Sequence, residues 1–204
     1  MMIKEQFLVC VSAYTTDNRQ PLSLWSEIEK SYSGAKRHYH NLVHLENLTS
    51  ELVSIREEFE HWDTVVFSIA YHDVVYNTLK RDNEEKSAGL AMKRLSEINV
   101  PTKEIEACKN YILATKLHGI HSEEINLFTD ADLSILGASP EVYAVYSKQI
   151  RLEYAWYPDV VYNPGREKVL MHFLSMENIF KTKYFRDRYE TNARMNIQDE
   201  LNRL

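Results

Sequence analysis

The residue types best suited to chemistry in this sequence are histidines and acids, and the sharpest pair is His72 followed directly by Asp73. Both lie in the largely apolar segment TVVFSIAYHDVVYN, residues 64–77, where an unpaired charge would be costly. A buried carboxylate beside an imidazole therefore calls for a compensating cation. A divalent metal would supply it, with an imidazole nitrogen and a carboxylate oxygen as ligands. The alternative is a His-Asp dipeptide that only marks a helix end.

A second pair of acids, Asp130 and Asp132, precedes an apolar stripe in the segment TDADLSIL. Asp130 is predicted to be the N-cap of a short helix, because a side-chain oxygen there can accept from free backbone N–H groups. Asp132 lies beside Leu133 and faces Leu136, where capping no longer explains it. The pattern therefore favours Asp132 as a metal ligand and Asp130 as the cap.

Further histidines precede these groups in the segment RHYHNLVH, residues 37–44. His40 and His44 are four residues apart, so they share one face of a helix and could bind one metal. For His40, a hydrogen-bonded histidine at a helix flank is an equal alternative. His61 and His172 lie in surface-like or amphipathic contexts and are predicted to be structural.

The elements that must position these residues are predicted to be helices throughout. Apolar side chains recur at helical spacing, and no window alternates with a period of two. Residues 64–77 would also suit a buried strand, but no strand partner occurs elsewhere, so we predict a helix there with Asp63 as its N-cap. The other predicted helices cover residues 21–33, 41–59, 83–98, 102–118, 140–157, 164–183 and 186–204, and the short helix that Asp130 would cap lies within residues 125–138. The predicted fold is a single compact all-α domain over residues 1–204, with eight or nine helices.

Composition narrows the class of protein. The chain has 204 residues, of which 44% are hydrophobic, and a formal net charge of −6, which disfavours binding to long nucleic acid. The low counts of 5 Gly and 5 Pro argue against a loop-rich β fold. The 2 Cys are too few for a disulfide framework, and their spacing does not indicate a metal site. We expect no signal peptide, no membrane span and a cytoplasmic location. The sequence favours neither a monomer nor a small homo-oligomer.

The order His44, His72-Asp73, Asp132 resembles the residue set that names the HD superfamily of metal-dependent phosphohydrolases. Eight blocks between about residues 37 and 201 look like those of a bacterial family of predicted HD phosphohydrolases; they are RHYHNLVH, AYHDVVYN, DNEEKSA, ILATKLH, DADLSILG, IRLEY, GREKVL and ARMNIQDEL. The resemblance implies an HD-domain-like helical bundle with a divalent metal at its centre, held by His44, His72, Asp73 and Asp132. It implies no particular substrate.

Further roles are expected around this centre. The resemblance suggests His118 as a second-metal ligand or phosphate contact, with a helix cap as the alternative, and Glu84 as a general base or water-orienting group. Arg37 lies near His40 in the sequence and Lys116 lies near His118, and both basic side chains are predicted to bind phosphate. Asp130 and His40 remain further candidates for the site.

The function expected from these residues is hydrolysis of a small phosphorylated, nucleotide-like metabolite with one or two divalent ions. Mn²⁺, Fe²⁺, Ni²⁺ and Zn²⁺ suit mixed histidine and carboxylate sites, and Mg²⁺ suits them less. Two alternatives stay open, a non-catalytic HD module that binds a metal or nucleotide and a diiron oxygenase on the same scaffold.

Overall fold

The computed structural model of the chain describes residues 1–116 and 119–204, and this part is all-α, with ten α-helices and no strand. The chain divides into two compact units, Met1–Thr129 and Asp130–Leu204, and the boundary falls inside one continuous helix. The helical fold class is confirmed. The assignment of residues 1–204 to a single domain stays a prediction.

The first unit contains six complete helices and the beginning of a seventh. Their bounds are α1 Met2–Ser12, α2 Gln20–Tyr32, α3 Leu42–Val53, α4 Trp62–Tyr71, α5 Asn83–Glu97, α6 Thr102–Ala114 and α7 Glu123–Leu133. Helix α4 contacts α1, α3, α5 and α6, and every residue from Thr64 to Tyr71 is buried. Burial on all sides explains why this run of residues has no polar face. The segment forms the predicted helix and not the alternative strand. Because α4 is central, its C-terminal end carries His72 and Asp73 into the interior.

The second unit contains α8 Pro140–Glu153, α9 Asp159–Ser175 and α10 Lys183–Leu201, with a 3-10 helix over Ser134–Gly137 before α8. Helix α10 contacts α8, α9 and the 3-10 helix. The guanidinium of Arg166 donates to both carboxylate oxygens of Glu200 at 2.8 and 3.0 Å, and the Tyr143 hydroxyl donates to the same carboxylate at 2.6 Å. This buried network ties the three helices of the unit together.

The starts of α4 and α9 differ from the sequence predictions. Helix α4 has His61, not Asp63, at its N-cap, and the Asp63 carboxylate instead accepts from the Cys10 thiol and the Tyr14 hydroxyl, both at 3.2 Å. Helix α9 begins at Asp159, so Pro164 lies inside the helix rather than at its start. Its buried residues Tyr162, Arg166, Leu170 and Phe173 recur at helical spacing, and the packing of this stripe outweighs the backbone hydrogen bond that Pro164 removes.

Within the described residues, no helix combines the length and apolar character that crossing a membrane requires.

Candidate metal centre

Helices α3 and α4 bring His44 and His72 into contact. The Asn41 side chain caps α3 by accepting from the backbone N–H groups of Val43 at 2.8 Å and His44 at 3.4 Å, which places His44 in the first turn. His72 directly follows the last residue of α4. The two rings are buried, and their Nε2 atoms are 3.1 Å apart. Residues far apart in the chain thus present two imidazole nitrogens to one point.

A backbone contact orients the His72 ring. Its Nδ1 lies 3.0 Å from the carbonyl oxygen of Ile69. Because a carbonyl oxygen can only accept, Nδ1 carries the proton, and in the neutral ring Nε2 presents its lone pair towards His44. A hydrogen bond from the second imidazole nitrogen to a carbonyl is the usual support of a metal-binding histidine.

Asp132 completes a group of three donors with these histidines. It lies in the last turn of α7, which runs without interruption from Glu123 to Leu133, and its side chain is half-buried. One ligand atom from each of His44, His72 and Asp132 lies within 4.8 Å of the others. The two imidazoles and the carboxylate form a buried group that could hold a metal ion.

Asp73 lies next to the two histidines of this group. Its Oδ2 is 3.2 Å from Nε2 of His72 and 4.0 Å from Nε2 of His44. Burial by itself would raise the pKa of this carboxyl, but the neighbouring imidazoles His72, His40 and His44 favour its charged form and hold the pKa well below its usual range. Asp73 is therefore an anion beside the donor group. The structure brings together all four residues that the sequence predicts as ligands.

His40, which the sequence leaves open, borders the cluster. Its Nε2 is 3.9 Å from Oδ2 of Asp73, and its side chain is 20% exposed. The ring packs against Tyr76 and Tyr39, with centroids 4.3 and 5.0 Å away. His40 thus lies at a partly accessible edge of the cluster, next to two aromatic rings.

Arg37 is bonded to the protein backbone. Its Nη1 donates to the carbonyl oxygens of His40 at 3.1 Å and Asp73 at 2.7 Å, and its Nη2 donates to that of Val74 at 3.0 Å. The predicted phosphate-binding role of Arg37 stays a prediction, and these contacts instead connect the segment before α3 with the end of α4.

Among the hydrogen bonds and ion pairs of the described residues, Glu84 and Lys116 contact each other and not the donor group. Lys116 Nζ bonds the carboxylate of Glu85 and the carbonyl of Arg81, the latter at 2.7 Å, and lies 3.7 Å from Oε2 of Glu84. The roles predicted for Glu84 as a base and for Lys116 as a phosphate ligand stay predictions. His118 lies outside the described residues.

The cap predicted for Asp130 is wrong. Asp130 lies well inside α7 and is completely buried. Its Oδ2 accepts from the backbone N–H of Thr182 at 2.7 Å and from its hydroxyl at 2.8 Å. Its Oδ1 accepts from the backbone N–H of Lys181 at 3.0 Å and from its Nζ at 3.3 Å. Thr182 is the N-cap residue of α10, so Asp130 fixes the start of a helix about fifty residues later.

Lys181 is a charged residue close to Asp130 that no pattern in the sequence indicates. Burial lowers its pKa, while the charges of Asp130 and Asp132 act in the opposite direction. No motif surrounds Lys181 in the sequence. Lys181 lies near the end of the predicted helix over residues 164–183, where a lysine gives no sign of a buried partner.

Comparison of the chain with family models, with curated proteins and with solved structures finds no match in any of the three.

Proposed function

We propose that this protein is a metal-dependent phosphohydrolase that acts on a small phosphorylated metabolite. The observation that carries the proposal is the buried group of His44, His72 and Asp132, with the Asp73 carboxylate within 4.0 Å of both histidines.

The donor set fits a divalent transition metal. Two imidazole nitrogens and carboxylate oxygens suit Mn²⁺, Fe²⁺, Ni²⁺ and Zn²⁺ better than Mg²⁺. The Nδ1 contact of His72 turns its Nε2 lone pair into the cluster, where it lies 3.1 Å from Nε2 of His44 and can accept a proton or bind a cation. The negative charges of Asp73 and Asp132 add the balancing charge that a divalent ion needs.

The step from a metal site to hydrolysis rests on the residue order. His44, His72-Asp73 and Asp132 follow one another as in the HD superfamily, and the proposal extends that resemblance to the fold and the reaction class. A divalent ion in such a site lowers the pKa of bound water and neutralises charge on a phosphoryl group. The proposal holds for one ion or two, with His118 as the candidate donor for a second.

The surrounding side chains have separate proposed roles. The ionised Asp73 carboxylate places a further oxygen donor 3.2 Å from Nε2 of His72, beside the lone pair of that ring. Tyr76 and Tyr39 flank His40 and offer an apolar face at the accessible edge, where part of a nucleotide-like substrate could pack. Glu84 on α5 and Lys116, which follows α6, lie 3.7 Å apart and keep their predicted roles in this proposal, Glu84 as a base and Lys116 as a phosphate ligand.

Metal analysis of the purified protein, combined with phosphate release from a panel of phosphorylated metabolites, tests the proposal. We expect roughly one to two divalent ions per chain and metal-dependent release of phosphate from at least one compound. His72→Gln is expected to lose the ion. His61→Gln is the matched control, because His61 lies 3.4 Å from Glu60 and 3.6 Å from Glu104 and belongs to no described donor group.

The alternatives give different results in the same experiment. Bound metal without turnover of any compound would indicate a non-catalytic binding module. Two iron ions per chain with oxygen consumption would indicate an oxygenase. Equal metal content in His72→Gln and in the unmodified protein would refute the metal centre itself.

A further inference from the structure

The side chain of Arg37 spans two segments that carry the candidate ligands. One segment precedes α3 and contains His40, while the other directly follows α4 and contains Asp73 and Val74. Three N–H groups of the guanidinium donate to the carbonyl oxygens of these residues, at distances between 2.7 and 3.1 Å. A single planar group thereby fixes the spacing of the two segments.

Two tyrosines hold the guanidinium and the Asp73 backbone in place. The Arg37 guanidinium lies over the rings of Tyr32 and Tyr76, 4.7 and 5.3 Å from their centroids. The Tyr32 hydroxyl also accepts from the backbone N–H of Asp73 at 3.1 Å. The peptide groups on both sides of the Asp73 Cα are thus bonded, one to Tyr32 and the other to Arg37.

The location explains why an arginine suits this position. Helix α4 ends at Tyr71, so the carbonyls that follow have no partner in a further helical turn, and a cation is favoured there. A guanidinium offers several donors in one rigid plane and stacks on aromatic rings. A lysine ammonium could reach one or two of these carbonyls but could not reproduce the planar arrangement.

We propose that Arg37 is a positioning residue that sets the affinity of the site for metal, rather than a ligand for substrate phosphate. The inference rests on the metal centre of the proposed function. A metal site binds tightly when its donors are held at fixed positions before the ion arrives. Arg37 holds the Asp73 backbone and the turn leading to His44.

The test uses Co²⁺ alone as the probe and measures its affinity and its visible absorption spectrum. Arg37→Ala is expected to bind Co²⁺ about 10- to 100-fold more weakly than the unmodified protein, with an altered spectrum, since loss of a group that supports metal ligands has effects of this size. Arg37→Lys is expected to recover part of the affinity, and it also keeps the test valid if the alanine variant folds poorly.

Arg194 provides a matched control. It likewise donates to three backbone carbonyls around a helix end, that of Leu174 in the last turn of α9 and those of Met176 and Glu177 beyond it, at 3.3, 2.9 and 2.9 Å. Arg194→Ala should lower thermal stability without changing Co²⁺ affinity. A loss of affinity as large as that of Arg37→Ala would reduce Arg37 to a general stabilising residue and overturn the inference.

Two further results separate this inference from the proposed function. If the unmodified protein fails to bind Co²⁺, the metal centre is wrong and the role of Arg37 is wrong with it. If it binds Co²⁺ and Arg37→Ala binds equally well, only the role of Arg37 is refuted. Inorganic phosphate added to the Co²⁺-loaded proteins tests the other role, because weaker phosphate binding with unchanged metal affinity would make Arg37 a substrate ligand.

Discussion

Asp130→Asn is predicted to destabilise the protein strongly while leaving metal binding intact. The substitution keeps the size of a completely buried side chain and removes its charge. Each carboxylate oxygen currently accepts from two donors, Oδ2 from Thr182 and Oδ1 from Lys181. An asparagine has only one oxygen, so in either orientation its NH₂ group faces two donors that have lost their acceptor.

The magnitude follows from burial of the ion pair. The Lys181 side chain is 9% exposed and lies 3.3 Å from Asp130, so the substitution leaves a positive charge with less compensation in the interior. Breaking a buried pair by removing one partner costs about 3 to 5 kcal/mol. Loss of a simple N-cap costs about 1 kcal/mol. For a protein of this size, we expect the melting temperature to fall by about 6 to 20 °C.

The assay compares Asp130→Asn with Asp132→Asn in thermal and urea unfolding with chelator present, and then measures metal affinity for the folded proteins. Asp132 is half-buried and belongs to the donor group, so its substitution is expected to change stability by about 1 kcal/mol or less and to remove most metal binding. The double variant Asp130→Asn, Lys181→Met removes the uncompensated charge and should regain part of the lost stability.

Two results would refute this reasoning. A loss of stability near 1 kcal/mol for Asp130→Asn would show that the contacts to Lys181 and Thr182 contribute no more than an ordinary cap. Loss of metal in Asp130→Asn with retention in Asp132→Asn would move the ligand to Asp130.

Three further predictions concern the site and the second unit. Asp73→Ala should weaken metal binding about 10- to 100-fold in calorimetric titration, and unchanged affinity would exclude it from the centre. Burial tends to raise the pKa of Glu200, but the Arg166 guanidinium holds this pKa below its ordinary value of 4.5. The ionised Glu200 therefore stabilises the folded protein above pH 4.5, and this contribution is lost as the pH falls through the folded-state pKa. The acid-induced fall in unfolding free energy should accordingly be smaller in Glu200→Gln, and an identical pH profile would contradict the assignment. Gly137→Ala would place a Cβ 2.5 Å from Cβ of Tyr189 and should lower stability by about 1 to 3 kcal/mol or more; a melt unchanged from that of the unmodified protein would show that the two segments separate at little cost.

Helical periodicity and end signals in the sequence located many of the elements. Ser139 and Pro140 predict the start of α8, and the structure begins that helix at Pro140. Asn83 predicts the start of α5, which begins there. These signals are local, because a cap or a proline acts on its own turn of helix.

The sequence also identified the residues of the candidate metal centre as unusual. A charged pair, His72-Asp73, within an apolar run indicates a buried compensated site, whatever the fold around it. Asp132 stands out for the same reason, as an acid beside an apolar stripe. Burial of a charge is costly in any context, so this signal is visible without coordinates.

Tertiary structure decided the partners of these side chains. Asp130 looks like a local cap in the sequence, yet its acceptor oxygens bond Lys181 and Thr182. Arg37 is a candidate phosphate ligand by its position in the sequence, and only the structure shows that its guanidinium bonds the carbonyls that follow α4. Composition and spacing report which groups are costly to bury, whereas the identity of a partner depends on which distant segments the packed helices bring within about 3 Å.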